Sequence, residues 1–184
     1  MILIGKTIYL RPFRLTDAPA VTENVSKKEI CKWIPSIPHP YPRNGAIHFI
    51  KECQKRWRQK RAYNFAIVSK ETNSVIGGIS LGSIVWVNKK SELGYWLKKT
   101  EWGKGITTEA VQLILAFGFN HLKLHRIYAE FFDENIASKR VLEKSNFKFE
   151  GIMRESNFMW GKYRNKHIYS ILKKEFKQRK QLKP

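Results

Sequence analysis

Apolar and polar positions alternate at the start of the chain. Thr7 to Leu15 predicts a strand, with Pro12, which cannot donate to a ladder, marking its edge or exit. The pattern then changes to helical spacing. Thr16 and Asp17 offer a cap for a helix over Ala18 to Val25. Ser26-Lys27-Lys28-Glu29 has a capping-box layout for a short helix running through Cys31 and Trp33. Pro35, Pro38, Pro40 and Pro42 force the next stretch into an extended loop, since each lacks an N–H and fixes φ. Ile47, Ile50, Cys53 and Trp57 then recur at helical spacing behind Asn44 as cap, with Lys51, Lys55, Arg58 and Lys60 on the opposite face.

Three strands follow: Ala62 to Val68, Val75 to Val87 and Glu92 to Leu97. A helix opens at Gly105, with Ile106, Ala110, Leu113, Ile114 and Phe117 as its buried stripe, and leads to a strand over Arg126 to Phe132. Hairpin-linked strands followed by a helical crossover predict an α+β fold built on a mixed sheet. A last helix is capped near Asn135 and ends at Asn146, the non-glycine residue that best tolerates the left-handed conformation; Phe147 re-enters the sheet. With no internal repeat and no low-complexity linker, 1–172 reads as one domain, followed by a basic tail over 173–184.

The informative local chemistry lies between the third strand and its helix. Gly103-Lys104-Gly105 sits just before a helix start, where unpaired N–H groups and the helix dipole favour an anion, and glycine lets the anion come close. A Walker A loop is excluded, because Lys98 stands where its first glycine belongs; a dinucleotide fingerprint is disfavoured by Thr108 at its third glycine. Two glycines by themselves read first as a structural turn. Gly78-Ile79-Ser80-Leu81-Gly82 spells G-x-S-x-G, but that motif works only at a strand-to-helix turn. Here β-type sequence continues through Ile84 to Trp86, so the glycines read as bends or bulges in a strand.

Composition narrows the class. At 184 residues, 42% apolar and 13% aromatic, the chain can bury a substantial core. Cys31 and Cys53 lack C-x-x-C spacing, there is no secretion signal, and no apolar run would span a membrane, so a reduced cytoplasm is the expected setting. The five histidines (His39, His48, His121, His125, His167) have no metal-ligand spacing, and no metal is expected. Lys+Arg total 35 against 15 Asp+Glu, a net charge of +20 that concentrates anions and suits proximity to RNA or a ribosome, or merely a Lys-rich solvated surface.

Trp102-Gly103-Lys104-Gly105-Ile106-Thr107-Thr108-Glu109-Ala110, preceded by Glu92-Leu93-Gly94-Tyr95-Trp96-Leu97, resembles the acetyl-CoA-binding segment of GNAT acetyltransferases, in its RimJ/RimL-type branch. Thr107 departs from the Ala or Gly usual there. Asn135-Ile136-Ala137-Ser138, with Asn146-Phe147, resembles the family's second motif, and Leu10-Arg11-Pro12, Glu150 to Arg154 and Trp160 to Arg164 extend the resemblance over most of the chain. It implies a six- or seven-stranded, mostly antiparallel mixed sheet with about four helices, splayed between the Glu92 and Arg126 strands, with acetyl-CoA wedged in the splay. An amine would then attack the thioester directly, without an acyl-enzyme.

By the same resemblance, backbone amides near Trp96 and Leu97 polarise the carbonyl, and those of Gly103, Gly105, Thr107 and Thr108 hold the pyrophosphate. Lys98, Trp102, Lys104, Ile106 and Lys144 complete the expected CoA contacts. Asn135 would bind the pantetheine arm besides capping its helix. Ser138 is either the acid that protonates the thiolate or an ordinary helix serine; Leu142 stands where many relatives carry a catalytic tyrosine. Glu92 is either the general base, acting through water, or a solvent-facing strand residue. The branch's other base position falls on Asn157, with Glu155 as a nearby substitute. Acceptors open to the family include protein N-termini (those of ribosomal proteins among them), polyamines, aminoglycosides and other small amines, and a homodimer is an assembly it allows. The rival class is a nucleic-acid-binding module, argued from charge, from the aromatic interleaving at Trp57 to Tyr63 and from the basic tail Lys173 to Pro184.

Overall fold

In the computed structural model, which describes residues 1–176, eight strands form one sheet in the order β1-β2-β3-β4-β5-β6-β8-β7. The strands are β1 (Leu3–Ile4), β2 (Ile8–Pro12), β3 (Tyr63–Ser69), β4 (Val75–Val85), β5 (Lys90–Leu97), β6 (Arg126–Phe132), β7 (Lys148–Met159) and β8 (Lys162–Leu172). Every ladder is antiparallel except β5–β6. The sheet exceeds the six or seven strands expected, because the two-residue β1 pairs onto β2 and the last hairpin is long. Five helices, not four, flank it: α1 (Ala18–Val25), α2 (Lys28–Cys31), α3 (Gly45–Arg58), α4 (Ile106–Ala116) and α5 (Ile136–Lys144). That is one more than the resemblance implies and as many as the hydrophobic pattern predicts, with α2 a single turn that stops at Cys31, short of Trp33. Of the expected basic tail, Lys173–Glu175 forms a 3₁₀ turn, and 177–184 lie outside the described residues.

The helices divide the core in two. Ile106, Ala110, Val111, Ile114 and Leu115 of α4 pack with Leu142 of α5 against Leu10, Phe65, Ile67, Leu81, Leu93 and Ile127. Val111 and Leu115 widen the expected α4 stripe. On the opposite face Val21 and Val25 of α1 and Ile50 and Cys53 of α3 meet Phe13, Ala66 and Val68. Adjacent strand residues point to opposite faces, so β3 supplies both cores and reads as a continuous apolar run.

Several caps differ from expectation. Ser26 ends α1 instead of opening α2; its hydroxyl donates back to the Thr22 carbonyl. Asn44 holds the N-cap position of α3 without a side-chain bond. Asp17 precedes α1, but its carboxylate accepts from Arg11 at 2.7 and 2.8 Å and from the Arg14 N–H at 2.8 Å. Asn146 does take the left-handed conformation (φ 64°). G-x-S-x-G lies wholly inside β4, which rules out a strand-to-helix elbow. Gly78 is there because the Trp96 indole lies across it: a Cβ would sit 2.6 Å from the ring nitrogen. The register shift falls between Gly82 and Val85, where Ser83 has φ 47°. Among the described residues no helix is long and apolar enough to cross a membrane.

Candidate active site

Parallel pairing between β5 and β6 covers only Lys90↔Arg126, Ser91↔Ile127 and Glu92↔Tyr128. Beyond it β5 runs to Leu97 and β6 to Phe132 with no ladder between them, so the sheet opens where residues 93–97 and 129–132 diverge. A cavity of about 1560 Å³ passes through this opening and reaches both faces.

On the α4–α5 face the cavity is bounded by the glycine turn and two helix starts. Gly103 and Gly105 have φ of +78° and +79°, and Gly105 is the N-cap of α4. The first intrahelical bond is Glu109 N–H to Gly105 C=O (3.0 Å), so the amides of Ile106, Thr107 and Thr108 have no helical acceptor. No atom lies within 4 Å of a Cβ built on either glycine, which leaves room for a bulky anion over donors it can reach. The Trp102 indole N–H donates to the Leu97 carbonyl at 2.8 Å and braces the turn against the end of β5. At α5, the Asn135 side chain accepts from Ser138 N–H (3.2 Å), and both residues line the cavity. This donor set and its open space fit the pyrophosphate and arm of acetyl-CoA.

Trp96, Leu97, Trp102, Gly103, Gly105, Ile106, Thr107, Thr108, Asn135, Ser138 and Lys144 all line this one cavity. Lys98 and Lys104 do not; the Lys104 ammonium donates to Glu101 at 3.1 Å. Leu142, at the position of the missing tyrosine, is buried in the core. A tyrosine reaches the same helix from elsewhere: the Tyr95 hydroxyl, from β5, approaches the Ser138 carbonyl at 3.4 Å and borders the cavity. Burial pushes Tyr95 up to about 12, so it stays protonated at neutral pH. Sequence reasoning gave it no role, although strand alternation puts it on the α5 face, opposite to Glu92.

On the α1–α3 face the cavity is walled by Trp33, Ile34, Ile37 and Tyr41 of the proline loop and by Phe49 of α3. Six carboxylates line the whole space. Five have a cation within 4 Å: Glu29 with Lys99 (2.9 Å), Glu52 with Arg56 (3.8 Å), Glu101 with Lys104 (3.1 Å), Glu130 with Lys166 (3.2 Å) and Glu134 with Lys162 (2.6 Å). Among the described residues Glu92 has no such cation; it accepts from the Ser83 hydroxyl at 3.2 Å, brought over it by the β4 irregularity. Burial, and secondarily the charge of Glu130, hold its carboxyl above the usual carboxylate range. Glu92 therefore sits in the cavity wall, not on a solvent face. Glu155 and Asn157 lie on the β7–β8 hairpin and do not border the cavity. Ser83, Glu130 and Lys166 were missed by sequence reasoning; the one available signal was a glutamate among aromatics in Arg126 to Phe132.

A splayed sheet with an anion turn on one side and a carboxylate on the other is an arrangement that fits acyl transfer. Residues 7–148 match the family described as "Acetyltransferase (GNAT) domain", and the chain belongs to it. It is 36% identical over 181 residues to "Probable N-acetyltransferase YjcK" of Bacillus subtilis, covering 96% of this chain and 99% of that one. It is equally 36% identical to "Putative ribosomal N-acetyltransferase YdaF" of the same organism, covering 96% and 97%. Mycobacterium smegmatis RimJ, solved in complex with a CoA disulfide, superposes with a TM-score of 0.88 over 97% of this chain and 90% of that one; at 22% identity it speaks for the fold. The protein is an N-acetyltransferase, related to ribosomal-protein acetyltransferases.

Proposed function

We propose that this enzyme transfers the acetyl group of acetyl-CoA to a free amine at a protein N-terminus, by direct attack within a ternary complex, and that ribosomal proteins are its acceptors. The observation that carries the reading is Glu92: of the six carboxylates that line the cavity among the described residues, it lacks a cationic partner there and lies where the sheet opens. An acceptor entering from the α1–α3 face would meet this carboxylate at the edge of the splay.

Acetyl-CoA supplies a thioester whose carbonyl carbon the amine attacks. The amides of Gly103, Gly105, Thr107 and Thr108 hold its pyrophosphate, with the α4 dipole behind them. Backbone N–H groups near Trp96 and Leu97, past the end of the β5–β6 ladder, stabilise charge on the carbonyl oxygen. Glu92 takes the ammonium proton, directly or through one water, and its raised proton affinity suits a base working near neutral pH. Ser138 donates to the departing thiolate, with the protonated Tyr95 hydroxyl close behind. The relatedness to YdaF favours a ribosomal acceptor, and the net charge of +20 favours one presented beside RNA. A cytoplasmic setting follows from that acceptor.

The experiment is a CoA-release assay at two salt concentrations with ribosomal-protein N-terminal peptides, their N-acetylated forms, spermidine and an aminoglycoside. Release with free N-termini and none with blocked ones supports the reading. Turnover confined to the small amines moves the acceptor to that class. RNA binding without acetyl-CoA affinity would sink the enzymatic reading of this site.

A further inference from the structure

Strand alternation places three charged side chains on the α1–α3 face of the opening. Glu92 is opposite Tyr128 in the β5–β6 ladder, and Glu130 is the next residue on that face of β6. Lys166 comes from β8, opposite Phe132, and reaches diagonally back to Glu130 at 3.2 Å. The Glu130 and Lys166 side chains are 22% and 19% exposed, so solvent screens this pair only partly. The two carboxylates repel, and the charge of Glu130, after burial, raises the proton affinity of Glu92. Lys166 bonds Glu130 and leaves Glu92 without a cation.

We propose that the Glu130–Lys166 ion pair is a positioning element of the acceptor subsite: by neutralising Glu130 and drawing it toward β8, Lys166 leaves Glu92 as the carboxylate that receives the acceptor's ammonium and takes its proton. The inference rests on the reading of Glu92 as the base. The groups facing Glu92 are Tyr128 and Glu130 from β6, Lys166 from β8 and the Ser83 hydroxyl from β4. From α3, Glu52 and Arg56 line the same cavity and pair with each other at 3.8 Å. Removing Lys166 withdraws a positive charge and uncovers a negative one, so Glu92 keeps its proton to higher pH. Removing the Glu130 charge lifts the repulsion and frees the Lys166 ammonium, so Glu92 ionises at lower pH, but with Lys166 competing for it.

Two readouts test this: the pH profile of kcat/KM, and a ¹³C NMR titration of the Glu92 carboxyl in the ligand-free enzyme, assigned by its loss in Glu92→Gln. In Lys166→Met the acid limb and the NMR midpoint both move to higher pH. In Glu130→Gln both move to lower pH and the acceptor KM rises, while the KM for acetyl-CoA stays unchanged. Lys166→Arg, which keeps the charge, retains the wild-type profile and serves if either neutral variant fails to fold. A pair that merely braces β6 against β8 would shift neither titration, or both in one direction; either result overturns the proposal and leaves Glu92 as base. Full activity in Glu92→Gln overturns the base reading, whatever the titrations show.

Discussion

Glu92 carries opposite consequences for rate and for stability. Burial first, and the nearby Glu130 second, raise its folded proton affinity, so above its folded pKa the ionised side chain costs the fold free energy. Gln is close in shape and carries no charge. Glu92→Gln is expected to lower kcat/KM by about 10²-fold or more while the melting temperature holds or rises, as read by initial rates and thermal unfolding of one preparation. A fall in both together would mark Glu92 as a structural residue. Ser83 reaches it only because the irregularity in β4 turns that hydroxyl onto the same face, so the local environment of the base depends on a backbone detail two strands away from Glu130.

The elements proposed to hold the donor are two helix starts, and each can be perturbed separately. Gly105 adopts φ +79° in open space, so alanine there meets backbone strain of about 1–2 kcal/mol without a clash. Glutamate adds to that strain a negative charge facing the seat of an anion. Calorimetric titration with CoA should show affinity reduced in Gly105→Ala and lost in Gly105→Glu; equal affinities in the two would mean that the anion does not sit at this turn. At α5, Asn135→Ala removes the acceptor of Ser138 N–H and is expected to cost about 1 kcal/mol in urea unfolding. If Asn135 also holds the pantetheine arm, the KM for acetyl-CoA rises in the same variant; an unchanged KM would confine the residue to capping.

For the whole molecule, the ion pair Arg11–Asp17 ties β2 to the entry of α1 and so fixes the α1–α3 layer over the acceptor side. Both side chains are buried, with a contact of 2.7 Å. Burial pushes the Asp17 carboxyl up, but the Arg11 guanidinium and the Arg14 N–H outweigh it and hold it below its ordinary value. A carboxyl depressed in the folded state stabilises fully above its unfolded pKa, and that contribution is lost as pH falls through the folded one. Asp17→Asn, which strands a buried guanidinium, is expected to cost about 3–5 kcal/mol at neutral pH, and its stability should fall less steeply on acidification than that of wild type. Urea unfolding at a series of pH values checks both; parallel pH curves would show that the pair does not govern acid stability.

Local rules within a few residues accounted for what the sequence determined by itself. A strand, two glycines and an amphipathic helix predict a turn with free helix-start donors wherever the rest of the chain goes, because helix-start donors and positive φ are local properties. Asn135 and Asn146 were likewise legible as the two ends of α5. Ser26 does not open α2, because its hydroxyl bonds a carbonyl of the preceding turn; Asp17 does hold the N-cap position of α1, but Arg11 and the Arg14 N–H take its carboxylate. Only the tertiary structure decided the surroundings of the proposed base. The end of the β5–β6 ladder at Glu92 and Tyr128, the convergence of Ser83, Glu130 and Lys166, and the approach of Tyr95 to Ser138 join residues separated by 9 to 43 positions or more. Pairings at such separations depend on which strands become neighbours, and packing of the whole sheet sets that order, not the pattern within any one strand.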